Sequence, residues 1–451
     1  MNKILLITCF LGLVALVLMN VGCVANQQYR KSYDPADPSL PGPDVTNAVI
    51  ESVPGVYSLG FVEFDDQGWF WPTNPANKVL QKNAVLQMIR NEAGFGSSNQ
   101  CGVIMVLFVH GWKNNAAYEN TNVGTFRSVL KQLSEVEHST SAKEGRNPRK
   151  LIGIYAGWRG LSESIEPFKE LSFWGRKNAA QRVGSYGAMT ELMMDLELLQ
   201  RSSNESLPTN AAQTKLIIVG HSFGADVVYN ALSHIITERF VDTIETNRVN
   251  VAVLKPLGDQ VILLNPAFEA ARVYDLKQLA RSVTNYSADQ RPVLSIFQSK
   301  GDWATHYVFP VGQCLGTLGQ SYQSPFQKES NHRTVGWFQP FLTHELIYDT
   351  NAAAVLKPDG INDAMATKTL RPAGQAGDAA ANIKAQRKIW HEGTSETNVF
   401  GSCVLRSVKD YQAHNPILVV SVDTQIMKDH NDIANPVLIN FLQEYIPFCD
   451  N

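Results

Sequence analysis

The segment Lys215-Leu-Ile-Ile-Val-Gly-His-Ser-Phe-Gly-Ala225 constrains this chain more than any other. Four apolar residues, Leu216 to Val219, have the length and branching of a buried strand. They run without a spacer into Gly-His-Ser-Phe-Gly, and the stretch from Ala225 to Ile236 then has helical apolar spacing. A strand that turns this abruptly into a helix forces the central serine into a strained backbone conformation. Side chains at 220 or 224 would collide with neighbouring backbone, so glycine is needed there. The turn leaves the Ser222 hydroxyl at the carboxyl end of a sheet and at the start of a helix, where the helix dipole favours negative charge.

The rest of the body repeats the same rhythm. A hairpin is expected over Val56 to Phe64 and Trp69 to Trp71, split by Asp65-Asp66-Gln67-Gly68. Apolar strands are expected at Val103–Val109, Leu151–Tyr155, Val261–Leu264, Val293–Phe297 and Ile417–Val422. Helical patterns cover Asn122–Leu133, Tyr186–Gln200, Phe268–Ala280 and Val437–Ile446. Continuously apolar strands alternating with helices imply an α/β fold, with a mostly parallel central sheet covered by helices on both faces. The rhythm breaks between Asp302 and Asn415, an excursion too long for a plain loop. Its first half is aromatic (Trp303, Tyr307, Phe309, Tyr322, Phe326, Trp337, Phe338, Phe341), and Trp337, Phe338 and Phe341 are expected at a pocket mouth.

A second motif, Val109-His110-Gly111-Trp112, follows the strand VIMVLFV roughly 110 residues before the serine. With both motifs in this order, the chain resembles the α/β-hydrolase superfamily of serine esterases and lipases. The resemblance covers about residues 100 to 300 and 416 to 446, and the large insertion before the last strand departs from the common plan. It implies that Ser222 is a nucleophile and that the backbone N–H groups of Trp112 and Phe223 form an oxyanion hole. His110 is read as a structural residue packed under the loop. Trp158, after a strand at the same end, either lines an acyl pocket or is a packed loop aromatic.

A nucleophilic serine needs a base and an orienting carboxylate. Of ten histidines, His430 follows the last expected strand through a short loop and precedes the closing helix, where the superfamily keeps its base. Val293–Phe297 leads into Gln-Ser-Lys-Gly-Asp302, and a Gly-Asp pair at a late strand end matches the superfamily's acid. Glu269, after the preceding strand, is the rival. The resemblance therefore implies a carboxylic ester hydrolase with a Ser222–His430–Asp302 triad, acting on small-molecule or lipid-like esters through an acyl-enzyme and needing no cofactor. The same residues serve acyl transfer or amide cleavage. A vestigial site on a partner-binding lipoprotein is the reading from a different class.

The chain opens with Lys3 and an apolar run from Ile4 to Met19, a little short for a membrane span and suited to an export signal. The run ends at Asn20-Val21-Gly22-Cys23, which resembles a bacterial lipoprotein signal and implies lipidation of Cys23. Plain secretory cleavage and a retained anchor are the alternatives, and all three send the body out of the cytoplasm. The expected division is a signal at 1–22, a proline-bearing flexible tether at 23–48 and a hydrolase domain at 49–451 with its insertion at about 303–415. The expected location is membrane-anchored, at the outer membrane or cell surface. Four further cysteines remain in the body, and Cys314 with Cys403 is the favoured pair if any forms.

With 39 basic and 42 acidic residues, the balance offers no nucleic-acid footprint. No Gly-x-Gly-x-x-Gly follows a strand, and no Walker loop, His-Glu-x-x-His or paired Cys-x-x-Cys suggests a nucleotide or a metal.

Overall fold

The structure is a computed structural model that describes residues 25–32, 45–74, 79–97, 100–161, 168–209, 211–246, 253–283, 286–349, 376–392, 397–408 and 411–449. Cys23 and the expected signal lie outside the described residues.

Thirteen strands occur among them: β1 (Ile50–Val53), β2 (Tyr57–Glu63), β3 (Pro72–Asn74), β4 (Val79–Leu80), β5 (Val103–Val109), β6 (Lys150–Gly157), β7 (Lys215–His221), β8 (Gln260–Leu264), β9 (Leu294–Ser299), β10 (His344–Tyr348), β11 (Thr397–Phe400), β12 (Cys403–Ser407) and β13 (Ile417–Val422). All but β3 and β4 form one sheet in the order β1-β2-β6-β5-β7-β8-β9-β13-β10-β12-β11. The strands from β2 to β10 in that order run parallel, with antiparallel strands only at the two edges.

Alternation along each strand divides the core into two layers. On β5, Val103, Met105, Leu107 and Val109 face one cluster, which includes side chains of the helices Gln81–Ala93, Ala188–Ser206 and Phe223–Thr246. Val106 and Phe108 face the other, shared with the helices Thr121–Lys143 and Pro436–Cys449. Because every parallel strand ends on the same side, the ends of β5, β7, β8, β9 and β13 bring five sequence-distant loops to one edge.

Several expectations change. Phe64 and Phe70 form only an isolated bridge, and β2 instead pairs with β1 across a turn at Gly55. The expected Phe268–Ala280 helix is a 3-10 turn, Ala270–Val273, followed by a helix from Tyr274 to Ser282. The insertion, in which no strand was expected, supplies β10, β11 and β12, so β13 is an interior strand. Phe338 and Phe341 are buried in the core, and Trp337 is half-buried, so this trio is not a pocket mouth.

Within the stretch expected to be a flexible tether, Arg30 is fully buried. Its guanidinium lies over the Phe61 ring, pairs with Glu51 and donates to the Ala116 carbonyl. Those bonds fasten the chain at this point. Among the described residues, Cys101, Cys314, Cys403 and Cys449 form no disulfide, with Cys314 exposed and Cys403 and Cys449 buried, so the favoured Cys314–Cys403 bridge is not formed. No helix among the described residues is long and apolar enough to cross a membrane.

Candidate active site

Ser222 follows β7 directly and precedes the helix Phe223–Thr246. Its φ of 57° lies in the left-handed region, which a non-glycine residue rarely occupies. The conformation is held from both sides: the Ser222 N–H donates to Leu264 O over 3.0 Å, and Ser222 O accepts from Ala225 N over 3.1 Å and Ala267 N over 3.2 Å. A Cβ on Gly224 would lie 2.0 Å from Val109 O, so the turn packs against the end of β5 at a distance only glycine permits.

His430 lies eight residues beyond β13, and Asp302 three beyond β9. Ser222 Oγ and His430 Nε2 are 2.8 Å apart, and His430 Nδ1 and Asp302 Oδ2 are also 2.8 Å apart. An ionised carboxylate can only accept, so it fixes the proton on Nδ1 and leaves Nε2 to accept from the serine. Among the described residues, no other histidine bonds to Ser222.

The carboxylate is buried and fully bonded. Asp302 Oδ2 also accepts from Thr305 Oγ1 at 2.6 Å and from Gln298 Nε2 at 3.0 Å, while Oδ1 accepts from the Thr305 N–H at 3.1 Å. Burial pushes the Asp302 carboxyl up, but the adjacent His430, its hydrogen bond and the two Thr305 bonds outweigh it. The net shift is below the ordinary value of 3.8. The Thr305 hydroxyl in turn accepts from Trp337 Nε1 over 3.0 Å.

Asn265, at the end of β8, holds the base loop. Its φ is 45°, tolerated by asparagine more readily than by most residues. Its Nδ2 donates to His430 O at 3.0 Å and Asp429 O at 3.2 Å, and its Oδ1 accepts from Ser299 N at 2.8 Å. His221 adds a second tie, donating from Nε2 to His430 O over 2.8 Å. Burial pushes the His221 pKa down to about 3, so the ring is neutral. Asn265, Gln298, Thr305 and His221 were not singled out by sequence as parts of the site. Asn265 left a signal as an asparagine before Pro266 at a strand end, and His221 by its place inside the Gly-His-Ser-Phe-Gly motif.

Gly111 lies directly against the serine, since a Cβ there would be 2.6 Å from Ser222 Cβ and 3.0 Å from His221 O. Trp112 and Phe223 flank this contact with their ring centroids 6.5 Å apart. His110 is buried, its pKa pushed down to about 4 by burial. Its Nδ1 donates to Gly111 O over 2.9 Å, and its Nε2 accepts from the Trp158 N–H over 3.0 Å. Trp158 stacks parallel to the His110 ring and donates from Nε1 to His110 O, so it is a packed loop aromatic. Glu269 sits elsewhere: its carboxylate is bonded to Lys177 and Gln313. Burial would raise its pKa, but the Lys177 ammonium holds it below the ordinary range.

Residues 199–345 match the family described as an alpha/beta hydrolase of unknown function (DUF900). The matched span is less than half of the chain; it contains Ser222 and Asp302 but neither Trp112 nor His430. The fold is that of an α/β hydrolase. Among solved structures, the chain is similar to Trichoderma reesei cutinase in complex with a C11Y4 phosphonate inhibitor, at 17% identity, covering 49% of this chain and 74% of that one with a TM-score of 0.19. A score this low carries no argument about the site. No curated protein matches the chain. The α/β-hydrolase scaffold hosts many chemistries, so function has to be argued from the serine, its partners and their surroundings.

Proposed function

We propose that the protein is a serine hydrolase acting on carboxylic esters. The observation that carries this reading is the hydrogen-bonded run Ser222 Oγ, His430 Nε2, His430 Nδ1, Asp302 Oδ2, with both links at 2.8 Å. His430 takes the Ser222 proton as Oγ attacks the ester carbonyl. The resulting oxyanion is held by the Trp112 and Phe223 N–H groups, beside the start of the helix Phe223–Thr246. The protonated ring, steadied by Asp302, gives its proton to the leaving alcohol. Water, deprotonated by the same ring, then releases the acid from the acyl-enzyme. No cofactor enters this sequence.

The substrates are hydrophobic, lipid-like esters, a reading supported by the aromatic side chains exposed just beyond Asp302, Trp303 and Tyr307. A panel of p-nitrophenyl esters of graded chain length tests it. Turnover should rise from acetate towards longer acyl chains in the wild type and disappear with Ser222→Ala. Retention of more than a tenth of the activity in that variant excludes the mechanism.

The protein works outside the cytoplasm, anchored at a membrane surface through a lipid on Cys23. Metabolic labelling with an alkyne fatty acid should mark the wild type and leave Cys23→Ala unmarked. Absence of label on the wild type contradicts the anchor.

A further inference from the structure

The segment that follows Asp302 reverses the usual polarity of a surface helix. A five-residue turn, Ala304–Val308, continues into the helix Phe309–Gly316. On its inner side, Thr305, Phe309 and Gln313 are buried at intervals of four residues. Two of these three are polar and are used for bonding: Thr305 to Asp302, and Gln313 to Lys177 Nζ and the Asn331 carbonyl. On its outer side, Trp303 is 65% exposed, Tyr307 56%, Val311 63% and Leu315 61%, again at intervals of four, and Leu318 is 76% exposed just beyond. A helix serving only to cover a core would carry the opposite pattern.

The ridge is also free of charge. From Trp303 to Gln327 there is no Asp, Glu, Lys or Arg. Phe326, 41% exposed and edge-on to Tyr274 at 5.8 Å between ring centroids, extends the apolar surface. Contiguous exposed apolar surface of this kind marks an interaction site. Charge reappears at one flank, where a depression is lined by His306, Tyr307 and Pro310 of this segment and by Lys328, His332 and Arg333. The acid in it, Glu329, pairs with Arg333, and Lys328 is exposed.

We propose that this ridge docks on an anionic lipid surface, with Trp303, Tyr307, Val311, Leu315 and Leu318 entering the layer and Lys328 and Arg333 meeting its phosphates. Two features select a lipid layer as the occupant. Its first two exposed positions, Trp303 and Tyr307, carry rings that are apolar with a polar edge and suit the boundary of a bilayer. The flanking cations complement acidic headgroups, which attract basic side chains within a few ångströms of the surface. Since the ridge starts at the residue after Asp302, docking would bring the layer to the candidate active site. The surface stands apart from the chemistry assigned to Ser222, and its test does not read turnover.

The test uses the full chain and vesicles of equimolar phosphatidylcholine and phosphatidylglycerol with brominated acyl chains, which quench tryptophan on contact. Quenching in the wild type minus that in Trp303→Phe isolates Trp303. That difference should be large, and it should be mostly lost when Val311, Leu315 and Leu318 are all replaced by serine. The triple variant should keep the wild-type circular dichroism and melting temperature, because these side chains are exposed. Lys328→Glu should weaken quenching on the mixed vesicles more than on pure phosphatidylcholine. Absence of Trp303-specific quenching overturns the proposal, and so does quenching that survives the triple substitution. If the wild type instead forms a dimer in sedimentation that the triple variant abolishes, with no quenching, the surface belongs to a second copy of the chain and the lipid proposal fails. A loss of quenching with Lys328→Glu that is the same on both vesicle types removes the headgroup role.

Discussion

Asn265 Nδ2 donates to the backbone carbonyl of His430 over 3.0 Å, tying the end of one strand to the loop that carries the candidate base. The ring of His430 is positioned through its own backbone as well as by Asp302, and Asn265 is placed to do this because β8 lies beside both β7 and β9. Asn265→Gly keeps the left-handed backbone and removes only the amide. It should lower kcat on the order of 10²-fold, the penalty for small misplacement of a reacting group, with a smaller change in KM. Unchanged kcat would mean that His221 alone holds the loop.

Gly111→Ala tests the contact between the two motifs. The new Cβ would lie 2.6 Å from Ser222 Cβ and has no room to move away from the His221 carbonyl, 3.0 Å distant. The loop bearing Trp112 must shift. Turnover should fall on the order of 10²–10³-fold, the effect of losing an oxyanion donor, while thermal melting shows a folded protein. Wild-type kcat in this variant would remove Trp112 from the oxyanion hole.

Asp302→Asn and Glu269→Gln separate the two acids that the sequence offered. Asp302→Asn should cost about 10⁴-fold in turnover through loss of the correct imidazole tautomer. Glu269→Gln should stay active and instead lose stability on the order of 2–4 kcal/mol, because the buried Lys177 loses its countercharge. A dead Glu269→Gln beside an active Asp302→Asn would reverse the assignment.

The lowered pKa of Asp302 has a consequence for acid unfolding. A carboxyl whose pKa is depressed by folding stabilises the native state above its unfolded value, near ~3.9. That contribution is lost as the pH falls through the lower folded-state value. Urea unfolding of the wild type and of Asp302→Asn should therefore differ less in this respect in strong acid than above roughly pH 5. A constant difference across that range would mean that the carboxyl is not held below its ordinary value.

The parts of the site that could be read in the sequence are those that directly follow an apolar strand. Ser222, Asp302, His110 and Trp112 each sit within a few residues of such a run, and His430 is the histidine between the last apolar strand and the closing helix. Local pattern suffices for these because strand ends on a parallel sheet converge. Thr305 and Gln298 were not legible, since their bonds to Asp302 depend on how the chain turns after β9. The insertion was misread for a related reason. β10 and β12 are five residues each and only partly buried, so they lack the continuous apolar run that marks an interior strand. Phe338 and Phe341 read as pocket aromatics because an aromatic cluster looks the same in sequence whether it faces a cavity or a core. The exposed members, Trp303 and Tyr307, are separated from the buried Phe309 only by the phase of the turn that carries them.

The proposed chemistry requires Ser222 to be a nucleophile activated by His430. Labelling with a fluorophosphonate probe, followed by peptide mapping, tests it without knowledge of the substrate. The wild type should take one phosphonyl group per chain, on Ser222; Ser222→Ala should take none, and labelling should slow by orders of magnitude in His430→Ala. A wild type that does not react, or one that carries the label on another residue, would contradict it.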